Sequence, residues 1–291
     1  MDLTLLLDGW TFEPTVALGL ALGAFLYWWG ARYSLRRGIG RHIRGWRAAC
    51  FAAGLLVIFV ALESPLDSWA DKLLWVHMVQ HELLTFVAPP LLLLGEPFWP
   101  VWRAFPRTAR RETMRWVVRQ NWLWRLGKAL ERFFFKPVVA WCTFVLVFSL
   151  WHLPALYDLT LENQAVHVLE HVFFLAAGLL FWAQIVPSRP FEPRLDYPKR
   201  AVYLAITALW GNVLDLAFML ATQPSYTYYA ALARPAGMVS AVTDEHLAGG
   251  IMDVASTFIL ITLILVMLGL WLQADEKAAN AMTEQLLQSR A

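Results

Sequence analysis

Apolar residues run along this chain in long blocks rather than in alternation, and each block is about as long as a membrane is thick. Seven such blocks lie at approximately 14–34, 45–62, 73–94, 136–155, 163–186, 200–221 and 247–272. A helix needs roughly 20 mostly apolar residues to cross a bilayer. The pattern therefore predicts an all-α, polytopic membrane protein with seven transmembrane helices. Residues 1–272 form the membrane domain in this reading, and 273–291 a short tail, with Asp275 to Ala291 reading as a soluble helix. Gly19 and Gly23 form a GxxxG in the first block, a common signal that permits close helix contact. Pro89 and Pro90 remove two backbone donors and are expected to bend the third block.

Composition supports the class. Hydrophobic residues make up 59% of the 291 and charged ones 16%, against roughly 45–50% and about 25% in soluble domains. Met1 to Glu13 contain no Lys or Arg. That stretch lacks the basic start of a cleavable signal peptide, so the first block is expected to remain as a span. Cys50 and Cys142 fall on different blocks without C-x-x-C spacing and read as small packed hydrophobes rather than a thiol ligand pair.

Charge adds an orientation. Alternate loops hold 22 of the 24 Lys and Arg residues. By the positive-inside rule those loops are cytoplasmic, which puts the N-terminus outside and the C-terminus inside. The segment 98–133 is too polar to span, because arginines alternate there with Trp102, Trp116, Trp122 and Trp124. It is expected to lie as an amphipathic segment on the anionic lipids of the inner leaflet. Arginines and aromatics also suit nucleic acid, but a place between two spans argues against that partner.

Six of the seven histidines then fall on one side. His77 and His81 open the third span, His152 closes the fourth, His167 and His171 open the fifth, and His246 precedes the seventh. Only His42 lies elsewhere, among arginines, where a solvated or headgroup role is the default. At about 1.5 Å rise per residue, His81 and His171 lie roughly 12 Å below the outer boundary, with Asp215 and Asp253 at similar depth. His77/His81 and His167/His171 are both i,i+4 pairs, so each pair shares one helix face and could reach one metal ion. One such pair is weak evidence, since it could serve hydrogen bonding between helices. Two pairs at one depth, joined by His152, His246, Asp215 and Asp253, point to a metal site, because ionisable groups inside membranes are costly. Glu82 and Glu170 adjoin the pairs and could orient the imidazoles. Imidazole suits copper, zinc and iron alike; Met252, with Met78 and Met219 at similar depth, tilts the choice slightly toward copper. His81-Glu82 does not extend to H-E-x-x-H, since residue 85 is Thr85.

Four strings carry a resemblance: HMVQHELL from His77, WHLPALYD from Trp151 to Asp158, HVLEHVFF from His167, and DEHLAGGIM from Asp244 to Met252. They resemble the CtaG family of seven-helix membrane proteins, linked to assembly of caa(3)-type cytochrome c oxidase and distinct from the single-span copper chaperone of the same name. The resemblance implies copper handling on the outer, periplasmic side of a bacterial plasma membrane. The implied partners are an oxidase subunit as recipient and a periplasmic copper donor. It also implies that His77, His81, His152, His167 and His171 match family histidines, and Asp158 and Asp244 family acids. The last string departs from the family pattern at Glu245-His246 and Asp253.

Three functions remain open on the residues alone. The first is a non-enzymatic copper assembly factor. The second is a zinc hydrolase embedded in the membrane. The third is a haem protein with axial histidines from two spans. A purely structural bundle would need six histidines for packing alone, and a di-iron oxygenase would need a His-His pair that is missing.

Overall fold

The computed structural model describes residues 9–10, 12–40, 43, 45–234 and 238–289. The expectations for Met1 to Asp8, Arg41, His42, Arg44 and the last two residues of the tail lie outside the described residues. Among the described residues the regular structure is helical, apart from one isolated bridge between Ser188 and Phe191.

The long helices begin where proline or a capping side chain allows. Helix α1 (Pro14–Arg36) starts on a proline, whose missing N–H costs nothing in the first turn. Helix α2 (Gly45–Glu63) is followed by the short α3 (Pro65–Ala70), capped by Ser64. Next come α4 (Leu74–Glu82), a π-helical turn at Leu83–Val87, and α5 (Ala88–Leu94). Helix α6 (Phe98–Ala104) then leaves the α4–α5 axis at 68°. Helices α7 (Arg107–Arg119) and α8 (Asn121–Phe134) bury none of their residues. Helix α8 meets α9 (Pro137–Trp151) at 79°. After α10 (Pro154–Glu162) comes α11 (Gln164–Trp182), whose first N–H groups are capped by Asn163. Helix α12 (Tyr197–Met219) is capped by Asp196. A short α13 (Thr227–Ala231) leads to α14 (Ala241–Gln288), which is capped by Ser240 and 48 residues long.

Five of these helices are long and apolar enough to cross a membrane, or seven if each bent pair forms one span. Two boundaries differ from the sequence expectation. The seventh block starts as helix at Ala241 rather than 247, and α14 continues without a break into the tail. The GxxxG of α1 makes no close contact: a Cβ on Gly19 would meet nothing within 4 Å, and one on Gly23 only Leu55 at 4.0 Å. Close approach in α1 occurs instead at Gly30, against the Pro100 carbonyl of α6.

The proline pair acts differently from a simple bend. Pro89 cannot donate to the carbonyl four residues back, that of Thr85. The helix widens there into the π turn, and the Trp182 indole N–H of α11 donates to the Thr85 carbonyl at 2.9 Å. Gly178 permits this approach, because a Cβ there would stand 3.0 Å from that carbonyl. The proline-induced vacancy thus ties α11 to the helix that carries His77 and His81. The sharp bend comes later, after Leu94.

Packing follows two apolar clusters. The larger gathers Leu74, Phe144, Phe174, Phe181, Trp182 and Met252 from the α4, α9, α11 and α14 side. The smaller gathers Tyr27, Phe51, Ile58 and Leu92 between α1, α2 and α5. Helix α12 lies along α14, and α14 against α4. Outward-facing Leu18, Leu56, Val138, Leu209 and Phe258 remain exposed on the long helices, as a surface facing lipid requires.

Candidate metal centre

Two helices bring the main groups together. Helix α4 carries His77 and His81 one turn apart; α11 carries His167, Glu170 and His171. The start of α4 lacks a capping side chain of its own. Asp244 of α14 supplies one: it accepts from the Leu74 and Trp75 N–H groups at 3.1 and 3.0 Å and pairs with Arg234 at 3.1 Å. That contact fixes the first turn of α4, and through it the direction of His77 one turn on.

The imidazoles gather between the two helices with their rings tilted or edge-on to one another. Ring centroids lie 4.4 Å apart for His77–His81, 4.3 Å for His167–His171 and 5.1 Å for His77–His167. The Glu170 carboxylate sits among them, 3.8 Å from His77 Nε2 and 3.7 Å from His81 Nε2. Those gaps are too long for hydrogen bonds. They suit atoms that share an ion. One donor atom from each of His77, His81, Glu170 and His171 lies within 4.8 Å of the others. Four ligands about 2.0–2.2 Å from one ion stand about 3.3–3.6 Å apart in a tetrahedron, and the carboxylate–imidazole gaps of 3.7 and 3.8 Å are already near that spacing.

Hydrogen bonds set two tautomers. The Tyr229 hydroxyl donates to the Ala70 carbonyl at 2.5 Å, so its oxygen must accept from His77 Nδ1 at 3.2 Å. His152 Nδ1 lies 2.7 Å from the Phe148 carbonyl, which can only accept. A neutral imidazole has one N–H, so both rings keep a free lone pair on Nε2. Metal-binding histidines use the same arrangement: one nitrogen donates to the protein and the other faces the ion.

Many polar atoms here have nothing to bond. Among the described residues, His77 Nε2, both nitrogens of His81, the Nε2 atoms of His152, His167 and His171, and both Glu170 oxygens are buried without a hydrogen-bond partner. Each such atom costs about 1–3 kcal/mol. A cation would satisfy several at once, so the donor set fits a metal ion.

The remaining predicted residues divide. His152 lies at the edge of the group, its ring 6.0 Å from His81 and stacked on Phe148. Glu170, expected only to orient an imidazole, stands among the donors themselves. Glu82 is buried within electrostatic reach of Asp215, and Asp215 within reach of Asp253. These three carboxylates are not among the four grouped donors. Met78 and Met252 pack in the apolar core, and Met219 is exposed. Asp158 accepts from the Thr227 and Tyr228 N–H groups at 3.1 and 3.2 Å and so caps α13. His246 is exposed and bonds the Ala221 carbonyl at 2.8 Å. Because α14 starts at Ala241, residue 246 is already helical. Buried Asp244, Glu245, Ala248 and Met252 define the inner face of α14, and His246 points away from it.

Three tyrosines were missed by sequence reasoning. Tyr157, Tyr226 and Tyr229 close the site from the side of α10 and α13, with the Tyr157 ring 5.1 Å from His77. The run Tyr226, Tyr228, Tyr229 in an otherwise short loop was the available signal. Asp71 also lies near His167; burial raises its carboxyl above the ordinary value, and the imidazole pulls it back.

Comparison with known proteins agrees with the histidine strings. The chain is 26% identical over 277 residues to uncharacterized proteins of Mycobacterium bovis and Mycobacterium tuberculosis, covering 93% of this chain and 40% of each relative. An uncharacterized protein of Mycobacterium leprae is 24% identical over 234 residues, 80% of this chain and 35% of the relative. The chain thus spans well under half the length of these curated relatives. No solved structure matches. The profile of the cytochrome c oxidase caa3 assembly factor family matches residues 25–274, and this chain belongs to that family.

Proposed function

We propose that the protein is an assembly factor that holds copper in the His77–His81–Glu170–His171 cage and passes it to a subunit of cytochrome c oxidase. The reading takes the chain as seven spans of a bacterial plasma membrane, N-terminus outside. The cage then opens toward the periplasm, where a copper donor would reach it. No bond of the cargo need be made or broken apart from those to the metal, so the role is not enzymatic.

One observation carries the proposal: a buried, partnerless set of imidazoles and one carboxylate, with the His77 tautomer fixed for an Nε2 ligand. Charge favours copper(I) over a divalent ion. Neutral imidazoles plus one carboxylate around a monovalent ion leave no net charge, whereas a divalent ion leaves an excess positive charge in a low-dielectric layer. Imidazole is a suitable ligand for copper. The haem reading finds less support: the rings stand 5.1–6.2 Å apart across the helices, and Tyr157 and Phe174, 5.1 and 4.4 Å from His77 and His81, crowd the space that a porphyrin plane would need.

Elemental analysis of the purified protein and of a His77→Ala/His81→Ala variant tests the reading. The expected result is copper in the wild type and its loss in the variant. Equal copper in both removes the cage from the account. Zinc in place of copper, with hydrolytic activity, would favour the membrane hydrolase instead.

A further inference from the structure

The cage is buried, so its ion must arrive by some route. A cavity of about 120 Å³ adjoins it, lined among others by Glu13, Asp67, Gln164, His167 and His171. Two of these belong to the histidine group, and two are carboxylates at the start of α1 and in α3. The backbone of Glu13 and the carboxylate of Asp67 are each tied to a neighbour. The Glu13 N–H donates to Glu63 at 2.9 Å, and Asp67 accepts from the Gln80 amide at 2.8 Å. That same Gln80 amide also donates to the Ala61 carbonyl at 2.8 Å, which fixes α3 against the end of α2. Asp71 adds a third carboxylate close to His167.

His167 is the second, independent observation. Its side chain is only 5% exposed, its Nε2 has no partner, and it lines the cavity. Yet it stands outside the set of four donors that lie within 4.8 Å of one another. Its neighbour in space and in sequence, His171, belongs to both the cavity wall and that set. A ligand at the threshold, followed by one shared with the interior, is the order a moving cation needs.

We propose that this cavity is the loading portal of the cage: Glu13 and Asp67 draw a metal cation to its mouth, and His167 is its first ligand before His171, His77 and His81 receive it. The proposal rests on the cage reading above. Transfer from His167 to His171 is a ligand exchange with no change of oxidation state; the ion breaks one nitrogen contact as it makes the next. Carboxylates at the mouth act by charge, which raises the local cation concentration and the on-rate without tightening the final site.

The test measures loading rate separately from final content. Full-length protein stripped of metal is mixed with copper(I) held by a chromophoric chelator, and colour loss is followed at low and high salt. Glu13→Gln/Asp67→Asn should reach the wild-type copper content about tenfold more slowly, with a rate that no longer falls as salt screens the mouth. Gln164→Trp, which fills the mouth and leaves its charge intact, should slow loading at every salt concentration. His77→Ala/His81→Ala should lower the final content. Wild-type rates in either portal variant overturn the portal while leaving the cage in place. A wild type that takes up no copper fails the cage itself, which is a different result.

Discussion

Two buried glutamates in this protein have opposite surroundings. Glu96, between α5 and α6, is ion-paired with Arg47 and lies 4.0 Å from Arg189. It keeps a left-handed φ of 47° for a non-glycine residue, a cost that its partners offset. Glu170 is buried too, yet among the described residues no Lys or Arg pairs with it; the imidazoles of His77 and His81 stand 3.8 and 3.7 Å away. A fold that supplies arginine for one buried carboxylate and withholds it from another leaves room at the second for an external cation. On the proposed reading, Glu96 is structural and Glu170 is the metal ligand.

The largest effect should come from breaking the structural pair. Arg47→Ala strands the Glu96 carboxylate and should destabilise the protein by about 3 kcal/mol, read as a lower unfolding temperature in detergent with copper content unchanged. Next is Glu170→Gln. Removing a partnerless charge should leave the metal-free protein at least as stable as wild type, while the stabilisation by added copper falls. With free copper at a hundred times its dissociation constant, that stabilisation is about 2.7 kcal/mol in the wild type. A Glu170→Gln protein that unfolds earlier without metal would place Glu170 beside Glu96 as a structural group.

A smaller effect sharpens the tautomer argument. Tyr229→Phe removes the acceptor that keeps the proton on His77 Nδ1 and should weaken copper binding about tenfold, measured by chelator competition. Unchanged affinity would mean that His77 is oriented by packing alone. Smallest of all, His246→Ala should change neither copper content nor unfolding temperature, because its ring faces outward and bonds a loop carbonyl, a surface contact of small effect.

How much of this was legible in the sequence depended on the range of the signal. The i,i+4 pairs of α4 and α11 are local, and helix geometry alone aligns His77 with His81 and His167 with His171. The starts of the blocks at 14 and 163 fall where Pro14 and Asn163 supply local chemistry. The true start of α14 was passed over, and with it the phase that turns His246 outward. The exchange between Pro89 and Trp182 joins residues 97 apart through Thr85, and no window along the chain reveals it. The same holds for Asp244, whose carboxylate caps a helix 170 residues away. Glu170 was visible as a neighbour of His171, but its place among the donors depends on the packing of α11 against α4. Spacing along a helix is readable by counting residues; direction across a helix interface is not.

X-ray absorption at the copper edge of the purified, copper-loaded protein tests the cage most directly. The account predicts scattering from nitrogen and oxygen at about 2.0 Å with the outer-shell pattern of imidazole, reduced in His77→Ala/His81→Ala. A sulfur-dominated shell near 2.3 Å, drawn from cysteine or methionine, would contradict it.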